Sequence, residues 1–151
     1  LSVKSLFTIG RREKIDLPDL NLAGIDAKVD TGAYTSALHC HKIKVDDEKN
    51  CIKFYLLDPD HPQYEQMEFS FSQFSTKEIK NSFGTAEKRF IIETPLKIFN
   101  KTILTEFSLS DRSNMKYPIL LGRKFISQGF LVDVNSINLS YKQYETSHTL
   151  N

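Results

Sequence analysis

Ile25-Asp26-Ala27-Lys28-Val29-Asp30-Thr31-Gly32-Ala33-Tyr34-Thr35-Ser36-Ala37-Leu38 decides how this chain is read. An apolar strand, 25–29, runs straight into Asp30-Thr31-Gly32-Ala33, and a second strand-like stretch, 34–38, leaves it. Some 90 residues later comes Tyr117-Pro118-Ile119-Leu120-Leu121-Gly122-Arg123-Lys124-Phe125-Ile126, an apolar strand ending in Gly-Arg and a short helix-like run. A lone Asp-Thr-Gly occurs by chance in roughly a few per cent of chains this long. Two motifs in this order, each in the right local context, are far more specific.

Together the two segments resemble the paired signatures of the retropepsin-type aspartic proteases. There a strand delivers Asp-Thr-Gly-Ala to the active-site turn and a late Leu-Leu-Gly-Arg strand packs beside it. The chemistry accounts for the residue types. Two carboxylates sharing one proton hold a water between them; one takes a proton from it while the acid form donates to the scissile carbonyl and then to the leaving amine. Like charges that close titrate as a unit. Thr31 is expected to brace the turn from behind the carboxylate, and Gly32 to allow a tight backbone with its N–H aimed at the charge. Asp30, Thr31 and Gly32 are thus the catalytic candidates, with Ala33, Gly122 and Arg123 as structural support. The chain has one Asp-Thr-Gly and no Asp-Ser-Gly, and 151 residues make a single domain, 1–151, too short for two lobes. The second carboxylate is therefore expected from a second copy of the chain across a two-fold axis.

Bulk composition excludes more than it specifies. A hydrophobic fraction of 40% and a charged fraction of 26% allow one sizeable core. A net charge of +1 gives no case for nucleic acid or membrane as partner, and no apolar run approaches the roughly 20 residues of a membrane span. The expected partners are a peptide or protein substrate and a second copy. Cys40 and Cys51 lack zinc-like spacing and read as two free thiols, in keeping with a cytoplasmic protein. The start at Leu1 is not a secretory signal, and a removed upstream segment stays open.

Strand patterns dominate elsewhere. Segments 5–9 and 13–17 read as strands, followed by a turn at Pro18-Asp19. Segment 51–57 is a strand closed by a Pro-rich breaker, and Met67, Phe69 and Phe71 alternate with polar residues as a half-buried strand does. Segment 75–88 is mostly polar, with a hairpin tip at 81–84. Segments 89–92 and 96–99 are two strands flanking Thr94-Pro95, and Ile103, Thr105, Phe107 and Leu109 share one strand face. Segments 130–134 and 137–141 form a final hairpin around Asn135-Ser136. Only 122–128 reads as helix, and the tail after about 144 is expected to be loose. The expected class is all-β: a retropepsin-like acid-protease barrel with one short helix after the Gly-Arg strand.

More narrowly, the chain resembles a bacterial and archaeal family once labelled ATP-dependent zinc proteases. The matching segments are Ile9 to Glu13, Asp30 to His39, Thr94-Pro95-Leu96, Leu120 to Arg123 and Phe130 to Asp133. Members often occur with ATP-grasp ligases that add glutamate to peptide ends, so the resemblance implies peptide hydrolysis that trims acidic tails. It also places Arg11 or Arg12 where an arginine reaches toward bound peptide, a role its bidentate geometry suits for a carboxylate. Gly84, in the tip of the hairpin that would be the flap, joins them as a substrate-contact candidate. The family's helix arginine pairs with an aspartate just past the active-site turn; Tyr34 stands there instead, so Arg123 must pair elsewhere. His39-Cys40-His41 suggests metal, but alternate strand residues face opposite sides, and a zinc site needs three or four convergent ligands. The reading is a strand with polar edge residues, no metal and no cofactor. The alternative function is a catalytically silent peptide-binding or dimerisation module on the same fold.

Overall fold

The computed structural model describes residues 6–80, 83–111 and 116–141. Its strands are β1 (Phe7–Gly10), β2 (Arg12–Leu17), β3 (Leu22–Val29), β4 (Ser36–Asp46), β5 (Cys51–Leu56), β6 (Glu68–Phe71), β7 (Ser75–Lys80), β8 (Ala86–Ile98), β9 (Lys101–Ser110), β10 (Ile119–Leu121) and β11 (Phe130–Asp133). One short helix, α1 (Arg123–Ile126), follows the Gly-Arg strand, and a 3-10 turn at Pro18–Leu20 links β2 to β3. Strands run in the order β10-β3-β2-β8-β9-β4, and a β10–β4 pairing closes these six into a barrel. The β5–β6 pair extends from β4, the β7–β8 hairpin projects from the barrel, and β1 and β11 form a separate parallel pair.

Period-two patterning fixes which face of each strand turns inward. In β3, Ile25, Ala27 and Val29 are buried, while Lys28 is exposed and Asp26 half-buried. In β2, Ile15 and Leu17 point inward with Glu13, while Arg12, Lys14 and Asp16 lie on the outer face. The core also takes Leu38, Phe54, Phe107, Ile119, Leu121 and Phe125. Burial of aliphatic and aromatic side chains at roughly 25 cal/mol per Å² drives the closure.

Several elements differ from the sequence expectations. Thr94-Pro95 does not break a strand: β8 is continuous through both. Pro95 opposes Leu104 on β9, and on its other side the ladder is interrupted between Ile91, paired with β7, and Lys97, paired with β2. The missing N–H therefore costs no ladder bond. The expected final hairpin is absent. β11 pairs with β1, residues 134–135 turn, and 139–141 are helical, because those amides are captured elsewhere, as described below. The strand after the Asp30 turn begins at Ser36 rather than Tyr34. The polar stretch 75–88 contains β7 and the start of β8. Of the expected tip at 81–84, residues 81 and 82 lie outside the described residues, as does the tail. β4 is an interior strand between β9, β10 and β5, not a polar edge. Cys40 and Cys51 are free and buried; desolvation pushes the Cys40 thiol up to about 12.

Candidate active site

β3 delivers Asp30 to a turn that the Gly-Arg segment holds from below. Asp30 N–H donates to the Leu121 carbonyl (2.9 Å), so the β3–β10 pairing continues into the first motif residue. Ala33 N–H closes the turn on the Asp30 carbonyl (3.2 Å). Arg123 N–H and Lys124 N–H then donate to the Ala33 and Tyr34 carbonyls (2.8 and 2.9 Å). Gly122 N–H donates to the buried Ser36 Oγ (3.0 Å). A Cβ on Gly122 would fall 2.7 Å from the Tyr34 carbonyl oxygen, so only glycine lets the two backbones approach this closely. The two motifs are one physical unit.

The carboxylate itself is lightly committed. Gly32 N–H donates to Asp30 Oδ1 (3.0 Å), as expected for that glycine. Oδ2 has no hydrogen-bond partner among the described residues, and Asp30 is half-buried beside exposed Thr31 and Gly32. The Thr31 hydroxyl makes no hydrogen bond among the described residues; its carbonyl accepts from Arg123 Nη1 (3.0 Å). That contact answers the question of Arg123's partner. Its guanidinium also lies 5.8 Å from the Tyr34 ring centroid, so the residue standing where the family has an aspartate still meets the arginine, through its ring face.

The substrate candidates are dispersed. The Arg11 carbonyl accepts from Val29 N–H (2.9 Å), placing its backbone beside the residue before Asp30, while its Nη1 turns to the Val134 carbonyl (3.3 Å). Arg12 Nη1 reaches the Tyr117 hydroxyl (3.4 Å). Gly84 is exposed in the β7–β8 hairpin connection with φ +78°. His39, Cys40 and His41 do not converge. His39 Nδ1 lies 3.2 Å from the Ser110 carbonyl oxygen and Nε2 2.9 Å from Asp58 Oδ1, while His41 stacks against Tyr55 and Tyr64. Among the described residues no group of three His, Cys, Asp or Glu side chains suits a metal.

Glu13 escaped the sequence reading. It is fully buried, and its carboxylate accepts from the N–H groups of Gly10 (2.8 Å), Leu139 and Ser140 (2.9 Å each). Those bonds seat 139–141 against β2 and remove the amides a final strand would have used. The available signal was position: Glu13 shares the inward parity of Ile15 and Leu17.

Over residues 8–143 the chain matches the family described as RimB-like, retropepsin-like aspartic endopeptidase RimB. The chain belongs to that family. Relatives from Desulfotalea psychrophila and Shewanella pealeana, each named probable alpha-L-glutamate ligase, are 32% and 30% identical over 83% and 84% of this chain. The chain spans only 27% and 28% of their lengths. The solved structure of Lpg0085 from Legionella pneumophila, a protein titled as of unknown function, has a TM-score of 0.69 and 26% identity, covering 89% of this chain and 98% of its own. No helix among the described residues is long and apolar enough to cross a membrane.

Proposed function

We propose that the chain is an aspartic peptidase that hydrolyses peptide bonds as a two-fold dimer, one Asp30 coming from each copy. The observation that carries this reading is the Asp30 turn: a carboxylate with one internal donor and one free oxygen, half-buried on a turn fastened by backbone bonds to the Gly-Arg segment. The local bond to Gly32 N–H is that of an Asx turn and needs only one oxygen. Here the uncommitted oxygen is available to a water and to a facing carboxylic acid. The pair then works by proton exchange: one carboxylate removes a proton from water, and its partner's acid proton passes to the carbonyl oxygen and then to the leaving nitrogen. Fixed geometry lowers the entropic cost of assembling water and peptide.

Acidic peptide tails are the proposed substrate, a reading supported by the relatives named for glutamate ligation. Arg11 or Arg12 is proposed to contact substrate, with Gly84 giving the hairpin tip its freedom. A second reading, a silent peptide-binding or dimerisation module, is favoured by one observation: in those relatives the matched region is about a quarter of a longer protein named for another activity. Incubating wild-type chain and Asp30→Asn with glutamate-tailed peptides, followed by mass spectrometry, separates the two. Cleavage by wild type alone supports the peptidase; no cleavage by either leaves the module.

A further inference from the structure

The outer face of the β2–β3 ladder carries two successive cross-strand pairs of opposite character. Lys14 faces Asp26 and the two form an ion pair at 3.0 Å. One step toward the active-site turn, Arg12 faces Lys28. Like charges directly opposite on a sheet repel and destabilise the pairing. A third cation, Lys116, lies nearby with its Nζ 5.9 Å from the Tyr117 ring centroid, and Tyr117 accepts the Arg12 hydrogen bond at its hydroxyl. None of Arg12, Lys28 and Lys116 pairs with a carboxylate among the described residues, and the Arg12 Nε is buried without a partner there. Tyr117 senses all three: the Arg12 hydrogen bond first, then the fields of Arg12, Lys116 and Lys28, hold its hydroxyl below the usual phenol range.

The position of this cluster gives it a use. Lys28 lies on β3 two residues before Asp30, and the β3–β10 pairing continues through the Asp30 amide, so the two positions share strand parity about 7 Å apart along the chain. Lys28 also sits opposite Leu120 of β10, whose chain continues into the Gly-Arg segment beneath the Asp30 turn. We infer that Arg12, Lys28, Lys116 and the Tyr117 hydroxyl form a carboxylate subsite beside Asp30, which binds an acidic side chain of the peptide next to the bond to be cut. An incoming carboxylate supplies the counter-charge that the Arg12–Lys28 pair lacks, as Asp26 does for Lys14. Arg12 offers fork-shaped donors, Lys28 and Lys116 offer point charges, and the phenol completes the donor set. Lys28 and Lys116 thereby become specificity-determining residues. This rests on the peptidase reading for its purpose but not for its chemistry.

The test uses the Asp30→Asn chain, in which nothing is hydrolysed, titrated calorimetrically with tetraglutamate and with tetraglutamine. Tetraglutamate is expected to bind at least tenfold more tightly at low salt, with the gap closing as ionic strength rises. Adding Lys28→Gln or Lys116→Gln, both at exposed positions where folding is tolerant, should weaken tetraglutamate by roughly three- to tenfold each, since every change removes one charge contact. Equal affinity for the two peptides, or a glutamate preference untouched by both substitutions, overturns the subsite. Hydrolysis by the wild-type chain is scored separately. Selective binding without hydrolysis would sink the peptidase reading and keep the subsite. Hydrolysis with no charge-dependent binding would do the reverse.

Discussion

Glu13 sits on β2 and Asp30 just past the end of the neighbouring β3, and the barrel treats the two carboxylates in opposite ways. Glu13 is fully buried and accepts three backbone N–H bonds, from one residue ahead of β2 and two near the end of the described chain. Asp30 is half-buried and accepts one, leaving Oδ2 without a protein partner among the described residues. A buried charge persists only when its lone pairs are matched, and Glu13 is matched by donors that would otherwise be orphans themselves. Asp30 is held just as firmly, but through its backbone, with the carboxylate left over. The first arrangement contributes stability; the second leaves one carboxylate oxygen uncommitted, which the proposed peptidase would use. The contrast teaches that two acids of one barrel are told apart by what their donors hold, not by residue type.

The largest effect that could break this contrast is on turnover. Asp30→Asn should lower peptide hydrolysis by about 10²–10⁴-fold or more, the usual contribution of acid–base groups, while the melting temperature barely moves. Steady-state cleavage beside calorimetry checks both halves. A stability loss matching the activity loss would make Asp30 another Glu13. The next effect is the mirror image. Glu13→Gln keeps the volume but turns an NH₂ toward donors, which should cost roughly 2–4 kcal/mol and lower Tm on the order of 10 °C. Denaturant unfolding reads this directly, and an unchanged midpoint would refute the keystone role.

These two residues also mark where the sequence was legible. The Asp30 turn and the Gly-Arg strand could be read because their chemistry is local: a short motif carries the donor, the tight turn and the approach. Free thiols and the short helix followed from equally local cues. Glu13 could not be read from its type, since a glutamate on a half-polar strand looks solvated; only its inward parity with Ile15 and Leu17 pointed to burial. The false final hairpin has the same cause. Ile137, Leu139 and Tyr141 alternate as a strand would, but Glu13, far away in sequence, takes the amides of 139 and 140. Pro95 misled in the other direction, because a proline breaks a strand only where a ladder bond is due, and the gap between β7 and β2 leaves none. The Arg12–Lys28 opposition needed the register of β2 on β3, which no single segment contains.

Two smaller effects sharpen the comparison. Gly122→Ala forces a Cβ against the Tyr34 carbonyl, and the resulting shift should cost about 1–3 kcal/mol and reduce turnover, as the Asp30 turn is displaced. Urea unfolding and a kcat measurement on the same sample test it; wild-type values for both would mean that the two motifs are not one unit. Arg123→Ala should cost the least. Its side chain is exposed and gives one bond to the Thr31 carbonyl and one ring contact, while the turn is held by backbone amides. A loss under about 1 kcal/mol is expected. A loss equal to that of Glu13→Gln would show that the Asp30 turn, too, hangs on one charged side chain.

The pairing of two Asp30 residues is tested most directly by subunit mixing. Wild-type chain is combined with equal Asp30→Asn chain and allowed to exchange, and hydrolysis is measured against undiluted wild type at the same total concentration. If each active site needs one Asp30 from each copy, only wild-type pairs work, and random pairing leaves about a quarter of the activity. Retention of about half, the simple dilution of an enzyme complete within one chain, would contradict the account.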